Sequence, residues 1–114
     1  MTVTETIEHG VAVFRIAGDV LGGPEAREIN ERLRRAVREG CKNAVLDVSG
    51  VGVVNSSGLG LLIAGLTIMR NAGGELRLAG VSSRLRKLLD VTKLSQVFPL
   101  DSTVEEALSH FLAI

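Results

Sequence analysis

A short, nearly continuous apolar run over residues 43–48 lies between turn signals near the middle of the sequence. A run of this kind is typical of a central β-strand that other elements cover on both faces. Helices packed on a mostly parallel sheet supply such cover. The run therefore indicates an α/β arrangement.

Strand and helix patterns alternate along the rest of the chain. Period-two alternation and short apolar runs predict further strands over residues 2–8, 11–17, 75–79 and 97–100. End signals predict a helix between Pro24 and Gly40, one over residues 57–71, a short one capped by Ser82 and Ser83, and one opened by a capping box over residues 102–105. Residues 18–23 and 49–54 are predicted to be loops. We expect one α/β domain, residues 1–114, with a mostly parallel or mixed sheet of four to five strands and helices packed on it.

Acidic and basic residues balance, with 13 of each. The chain therefore has no net positive charge that would attract it to nucleic acid or to an anionic membrane. The longest apolar stretch, residues 59–69, is shorter than the roughly 20 residues that cross a bilayer, and the N-terminus does not resemble a signal peptide. We expect a cytoplasmic protein that contacts neither nucleic acid nor the membrane directly.

Metal ligands and thiols are scarce in this sequence. Cys41 is the only cysteine, so an internal disulfide is excluded. His9 and His110 lie at opposite ends of the chain and belong to no ligand motif. We predict no metal site and no bound cofactor.

The first helix carries an arginine run. Apolar residues recur at helical spacing on one face: Ala26, Ile29, Leu33, Ala36 and Val37. Arginines take the other face and the C-terminal end: Arg32, Arg34, Arg35 and Arg38. We interpret the run as a solvated helix face, with binding to something acidic as the alternative.

Residues 53–62 contain the most informative motif, because a buried strand and its loop there lead into a helix N-terminus. Asn55, Ser56 and Ser57 are all good capping residues, so a well-capped helix is one interpretation. The other is phosphorylation of a hydroxyl, because free first-turn N–H groups bind phosphate oxygens and Gly58 and Gly60 permit close approach.

The second predicted helix has two different apolar faces. One is predicted to face the core: Leu59, Leu62, Ile63, Leu66 and Met69. The opposite face is uncharged and includes Leu61, Ala64 and Ile68. Either another helix covers that face, or it binds a partner.

Catalytic motifs are missing from the same stretch. Val54 and Asn55 stand where a Gly-x-Ser-x-Gly nucleophile elbow needs its first glycine. The glycine loops lack the fingerprints of dinucleotide and P-loop sites. Asp19 and Asp47 form no recognisable acid/base pair with the serines. We therefore expect no enzyme activity.

The stretch from Asn55 to Gly60 resembles the Asp-Ser-Ser-Gly-Leu-Gly signature of the STAS-domain anti-sigma factor antagonists. The likeness covers nearly the whole chain. It includes the turn at Gly18-Asp19-Val20, the Gly73-Gly74 pair before a strand, and a C-terminal pattern of Leu88, Leu89, Thr92, Leu94, Phe98, Ser102, Glu105, Glu106, Ala107 and Leu108.

The resemblance implies a bacterial partner-switching cycle that regulates transcription, in which Ser56 is the phosphorylated residue. Unphosphorylated protein would bind an anti-sigma factor that is also a serine kinase, and so free a sigma factor. Phosphorylation by that kinase, using ATP bound on the kinase, would break the complex, and a PP2C-type phosphatase would reset it. The chain itself would be a substrate and a binder.

Two departures from the family pattern bear on this expectation. Asn55 replaces the usual Asp and cannot carry charge, so we expect slower phosphorylation or a different kinase geometry. Leu21-Gly22-Gly23 replaces the Asp of the family's Gly-Glu-Leu-Asp turn and the residues after it, so partner recognition should differ. The alternatives are a non-switching STAS scaffold subunit of a signalling complex or membrane transporter, and a nucleotide-binding site at the same helix start.

Overall fold

The apolar patterns form a five-stranded sheet with four helices in a computed structural model that describes residues 1–112. The strands are β1 (Thr2–Glu8), β2 (Val11–Val20), β3 (Ala44–Val54), β4 (Leu76–Ala79) and β5 (Leu100–Asp101). The helices are α1 (Gly23–Arg38), α2 (Ser56–Asn71), α3 (Ser83–Val91) and α4 (Val104–Leu112), with a 3₁₀ turn at Leu94–Gln96.

The sheet is mixed, with spatial order β1-β2-β3-β4-β5. β1 and β2 form an antiparallel hairpin, and β2 to β5 run parallel. The predicted α/β class and the strand number are therefore confirmed.

Helices cover the sheet on both faces. α1, α2 and α3 pack on one face over the larger core, where Phe14, Leu33 and Leu46 are fully buried. α4 packs on the other face against Val13, Val45 and neighbouring residues. β3 lies between the two layers, as its continuous apolar run predicts.

Two predicted loops are instead strand. β2 continues through Val20 and β3 through Val54, so the loop predictions for residues 18–20 and 49–54 were wrong. The extensions pair with each other, Gly18 with Val51 and Val20 with Val54, through register irregularities. Glycines and a serine read as a loop in a single sequence, but the neighbouring strand supplies hydrogen bonds that keep them extended.

The C-terminal boundaries also differ from the predictions. Pro99 has no N–H to donate, and the strand begins only at Leu100 rather than at Val97. The cap of α4 is displaced by one residue, because Thr103 Oγ1 accepts from Glu106 N at 3.1 Å. The capping box predicted over residues 102–105 was therefore wrong by one position.

A cluster of polar side chains joins β4, β5 and α4. The Asp101 side chain is fully buried and accepts from Arg77 through Nε at 2.6 Å and Nη2 at 3.2 Å. His110 Nδ1 lies 2.9 Å from Asp101 Oδ1 and 3.0 Å from the Glu106 carbonyl oxygen. These contacts satisfy a carboxylate that would otherwise be costly to bury.

Candidate functional site

Asn55 places the start of α2 at the ends of β2 and β3. Its Oδ1 accepts from Gly58 N at 2.8 Å, which is the N-cap interaction. Its Nδ2 donates to the Leu21 carbonyl oxygen at 3.0 Å. The amide therefore caps α2 and also holds the segment that follows β2.

Gly58 brings the first turn of α2 directly against β2. A Cβ at this position would overlap the carbonyl group of Val20. Only glycine permits that contact, so the backbone of β2 fixes the position of the helix start. Gly58 is buried, whereas Gly60 is exposed and has open space beside it.

Ser56 and Ser57 are the first two residues of α2, and both are exposed. Neither hydroxyl hydrogen bonds to another residue within the described range 1–112. The first turn contains no acidic residue, and the helix dipole adds partial positive charge there. An anionic group on either hydroxyl would meet a favourable local field.

The two hydroxyls differ in their surroundings. Ser57 lies against Gly22, where a Cβ would come within 2.7 Å of the Ser57 Cβ. Ser57 also lines a hollow of about 330 Å³ shared with Gly22, Gly23, Arg27, Gly60 and Leu61. Gly22, in the segment that departs from the family turn, therefore determines the space around Ser57.

The apolar back face of α2 is partly covered by α1. Leu61, Ala64 and Ile68 are all half-buried. Asn30 Nδ2 of α1 donates to the Leu61 carbonyl oxygen at 3.1 Å, and a Cβ on Gly65 would lie 3.0 Å from Asn30 Oδ1. α1 thus covers part of this face, and solvent reaches the rest.

The predicted core face of α2 needs one correction. Leu59, Leu62, Leu66 and Met69 are buried, but Ile63 is 37% exposed. Gly65 is buried in its place, because α1 crosses α2 at that residue. An apolar stripe read from sequence cannot show which flank the next helix will cover.

Two carboxylates of β2 and β3 bond to backbone N–H groups, a role that no local sequence pattern indicates. Asp19 Oδ1 accepts from Val53 N at 2.8 Å, and Asp47 Oδ1 accepts from Ser49 N at 3.0 Å. Both carboxylates thus bond within the sheet and form no acid/base pair with Ser56 or Ser57. In the part of the chain that the structure describes, no cluster of His, Cys, Asp and Glu could hold a metal ion, and no helix is long and apolar enough to span a bilayer.

Replacing Asn55 with alanine should lower the free energy of unfolding by about 1–2 kcal/mol, because the cap is lost together with the bond to Leu21. Asn71→Ala, at an exposed position at the other end of α2, is the control and should change it by less than about 0.5 kcal/mol. Urea denaturation followed by circular dichroism measures both. Equal midpoints for the two variants would contradict the capping role.

A family model described as "STAS domain" matches residues 2–107. The anti-sigma F factor antagonist of Paenibacillus polymyxa is 26% identical over 113 residues, covering 96% of each chain. The structure is similar to an anti-sigma factor antagonist from Mycobacterium paratuberculosis, with a TM-score of 0.81, 24% identity and coverage of 96% and 92%. It is also similar to the phosphorylated form of the Bacillus cell fate determinant SpoIIAA, with a TM-score of 0.75, 20% identity and coverage of 96% and 99%.

Proposed function

We propose that this chain, which belongs to the STAS domain family, is an anti-sigma factor antagonist whose partner binding is switched off by phosphorylation of Ser56. The family match and the name of the Paenibacillus relative support the antagonist role. The observation that carries the switch is the exposed Ser56 hydroxyl at the start of α2, which hydrogen bonds to no other residue in the range 1–112.

Phosphorylation at this position would add negative charge beside the uncharged face of α2. A phosphoserine adds about two negative charges at neutral pH. The adjoining partner surface consists of Leu61, Ala64 and Ile68, which are half-buried and uncharged. Docking of a partner over a new dianion costs desolvation energy and adds repulsion from any acidic group. The unphosphorylated form would therefore be the binding form.

The partner in this proposal is an anti-sigma factor that is also a serine kinase and carries the ATP. The γ-phosphoryl group is transferred from ATP to Ser56 Oγ, ADP leaves, and a base must accept the hydroxyl proton. Asn55 cannot be that base, and both ends of its amide already bond to Gly58 and Leu21. The kinase would therefore supply the base. A PP2C-type phosphatase would hydrolyse the phosphoserine and restore the binding form.

Replacing Ser56 with aspartate should weaken binding to the cognate anti-sigma factor by about tenfold, because a fixed negative charge partly mimics the phosphate. The fold should persist, since a carboxylate in the first turn is favourable by about 0.3–1 kcal/mol. Isothermal titration calorimetry measures the affinity, and thermal unfolding checks the fold.

Ser83→Asp is the matched control, because Ser83 is the exposed first residue of α3 and lies outside the proposed surface. It should bind the anti-sigma factor as the unmodified protein does. Unchanged binding by Ser56→Asp would count against the charge-based switch.

A further inference from the structure

The exposed edge of α1 runs alongside the uncharged face of α2. A groove of about 230 Å³ separates the helices, and its lining includes Arg27, Glu31, Arg34, Leu61 and Ala64. The three residues of α1 are spaced i, i+4 and i+7, so they form one stripe. Arg38 continues this stripe four residues further along the helix.

Positive charge exceeds negative charge along that stripe. Arg34 Nη1 pairs with Glu31 Oε1 at 2.8 Å. Arg27 and Arg38 are exposed and make no ion pair with any other residue in the range 1–112. The stripe therefore presents three arginines against one glutamate, although the whole chain has no net charge.

Arg32 differs from the arginines beside α2, because its ion pairs lie on the side of α1 that faces β1. It turns towards β1 and pairs with Glu5 at 3.6 Å and with Glu28 at 3.1 Å. Its charge is thus used within the fold. Of the arginines beside α2, Arg34 pairs only with its helix neighbour Glu31, and Arg27 and Arg38 have no carboxylate partner in the range 1–112. The stripe thus has charge available for the acidic ligand that was the alternative to a merely solvated face.

We infer that the α1–α2 groove binds an acidic amphipathic helix of the partner protein. Apolar side chains of that helix would pack on Leu61 and Ala64, and its carboxylates would pair with Arg27, Arg34 and Arg38. Bidentate Arg–carboxylate pairs would fix its register. The inference rests on the proposed function, since it names the chemistry of the partner.

The position of the groove also connects this surface to the switch. Arg27 and Leu61 line both the groove and the hollow beside Ser57. A dianion on Ser56, the residue before Ser57, would therefore repel an acidic helix docked along the groove. Charge at one end of the groove would control binding along it.

Two synthetic peptides of about 18 residues, or five helical turns, test the inference with unphosphorylated full-length protein. They share one leucine stripe and carry either glutamate or lysine at every polar position. Fluorescence anisotropy should show saturable binding of the glutamate peptide, weakening as salt rises from about 0.05 to 0.3 M. Binding of the lysine peptide should be at least about tenfold weaker.

Charge reversal locates the binding. The double variant Arg27→Glu/Arg34→Glu should lose at least about tenfold in affinity for the glutamate peptide. Arg84→Glu/Lys87→Glu has the same change in net charge at exposed positions of α3 and should bind normally. Thermal unfolding confirms that both variants fold.

Equal binding of both peptides, no binding of either, or equal loss in both double variants would overturn the inference. A single-stranded oligonucleotide that binds more tightly than the glutamate peptide would overturn it in favour of a nucleic-acid surface. No kinase or phosphate enters this experiment. Failure of Ser56 phosphorylation would therefore refute the proposed function separately.

Discussion

Ser56→Ala is expected to abolish phosphate incorporation when the protein is incubated with its cognate serine kinase and ATP. Alanine removes Ser56 Oγ, the atom that would receive the phosphoryl group. It leaves intact the N-cap hydrogen bond between Asn55 and Gly58. Intact-mass spectrometry should show one added phosphate on the unmodified protein and none on the variant.

Ser57→Ala is the control for that experiment. Ser57 is also exposed in the first turn, but it lies against Gly22 and beside Arg27. The variant should still gain one phosphate. Loss of the phosphate in Ser57→Ala, with incorporation retained in Ser56→Ala, would transfer the site to Ser57.

Gly58→Ala should lower the free energy of unfolding by about 3 kcal/mol or more, because a methyl group there must displace either α2 or the end of β2. The obstacle is the backbone carbonyl of Val20, which cannot rotate away as a flexible side chain could. Urea denaturation followed by far-ultraviolet circular dichroism measures the change.

Gly60→Ala is the matched control, two residues along the same helix. Its Cβ would point into open space, so alanine should leave stability unchanged or raise it by up to about 1 kcal/mol. If both variants unfold at the same urea concentration, the first turn of α2 is not fixed against β2.

Local patterns in the sequence are sufficient to predict the elements that neighbouring residues along the chain determine. β1 and the helix between Pro24 and Gly40 were predicted because their apolar periodicity and end signals agree. The continuous run in β3 likewise indicated cover on both faces. These features depend on neighbours a few residues away, which a single sequence displays.

Features that depend on a distant neighbour could not be predicted. Gly50 indicates a loop, and its pairing with Ala17 of β2 keeps it in β3. Ile63 fits the apolar stripe of α2, yet α1 crosses at Gly65 and leaves Ile63 exposed. In both cases tertiary packing overrides the local pattern.

The candidate site likewise combines one role that residue type predicts with contacts that depend on distant residues. Asn55 was identified as a possible cap from its residue type, and the structure gives it that role. The second bond of Asn55, to Leu21, joins positions 34 residues apart and has no sequence signal. Arg34 of α1 and Leu61 of α2 line the same groove only because the two helices lie side by side, and no local sequence pattern indicates this.

The phosphorylation switch itself can be measured by titration calorimetry of the cognate anti-sigma factor against Ser56-phosphorylated and unphosphorylated protein. We expect the phosphorylated form to bind at least about a hundredfold more weakly, because a dianion at the N-terminus of α2 opposes docking on the neighbouring surface. Equal affinity of the two forms would contradict it.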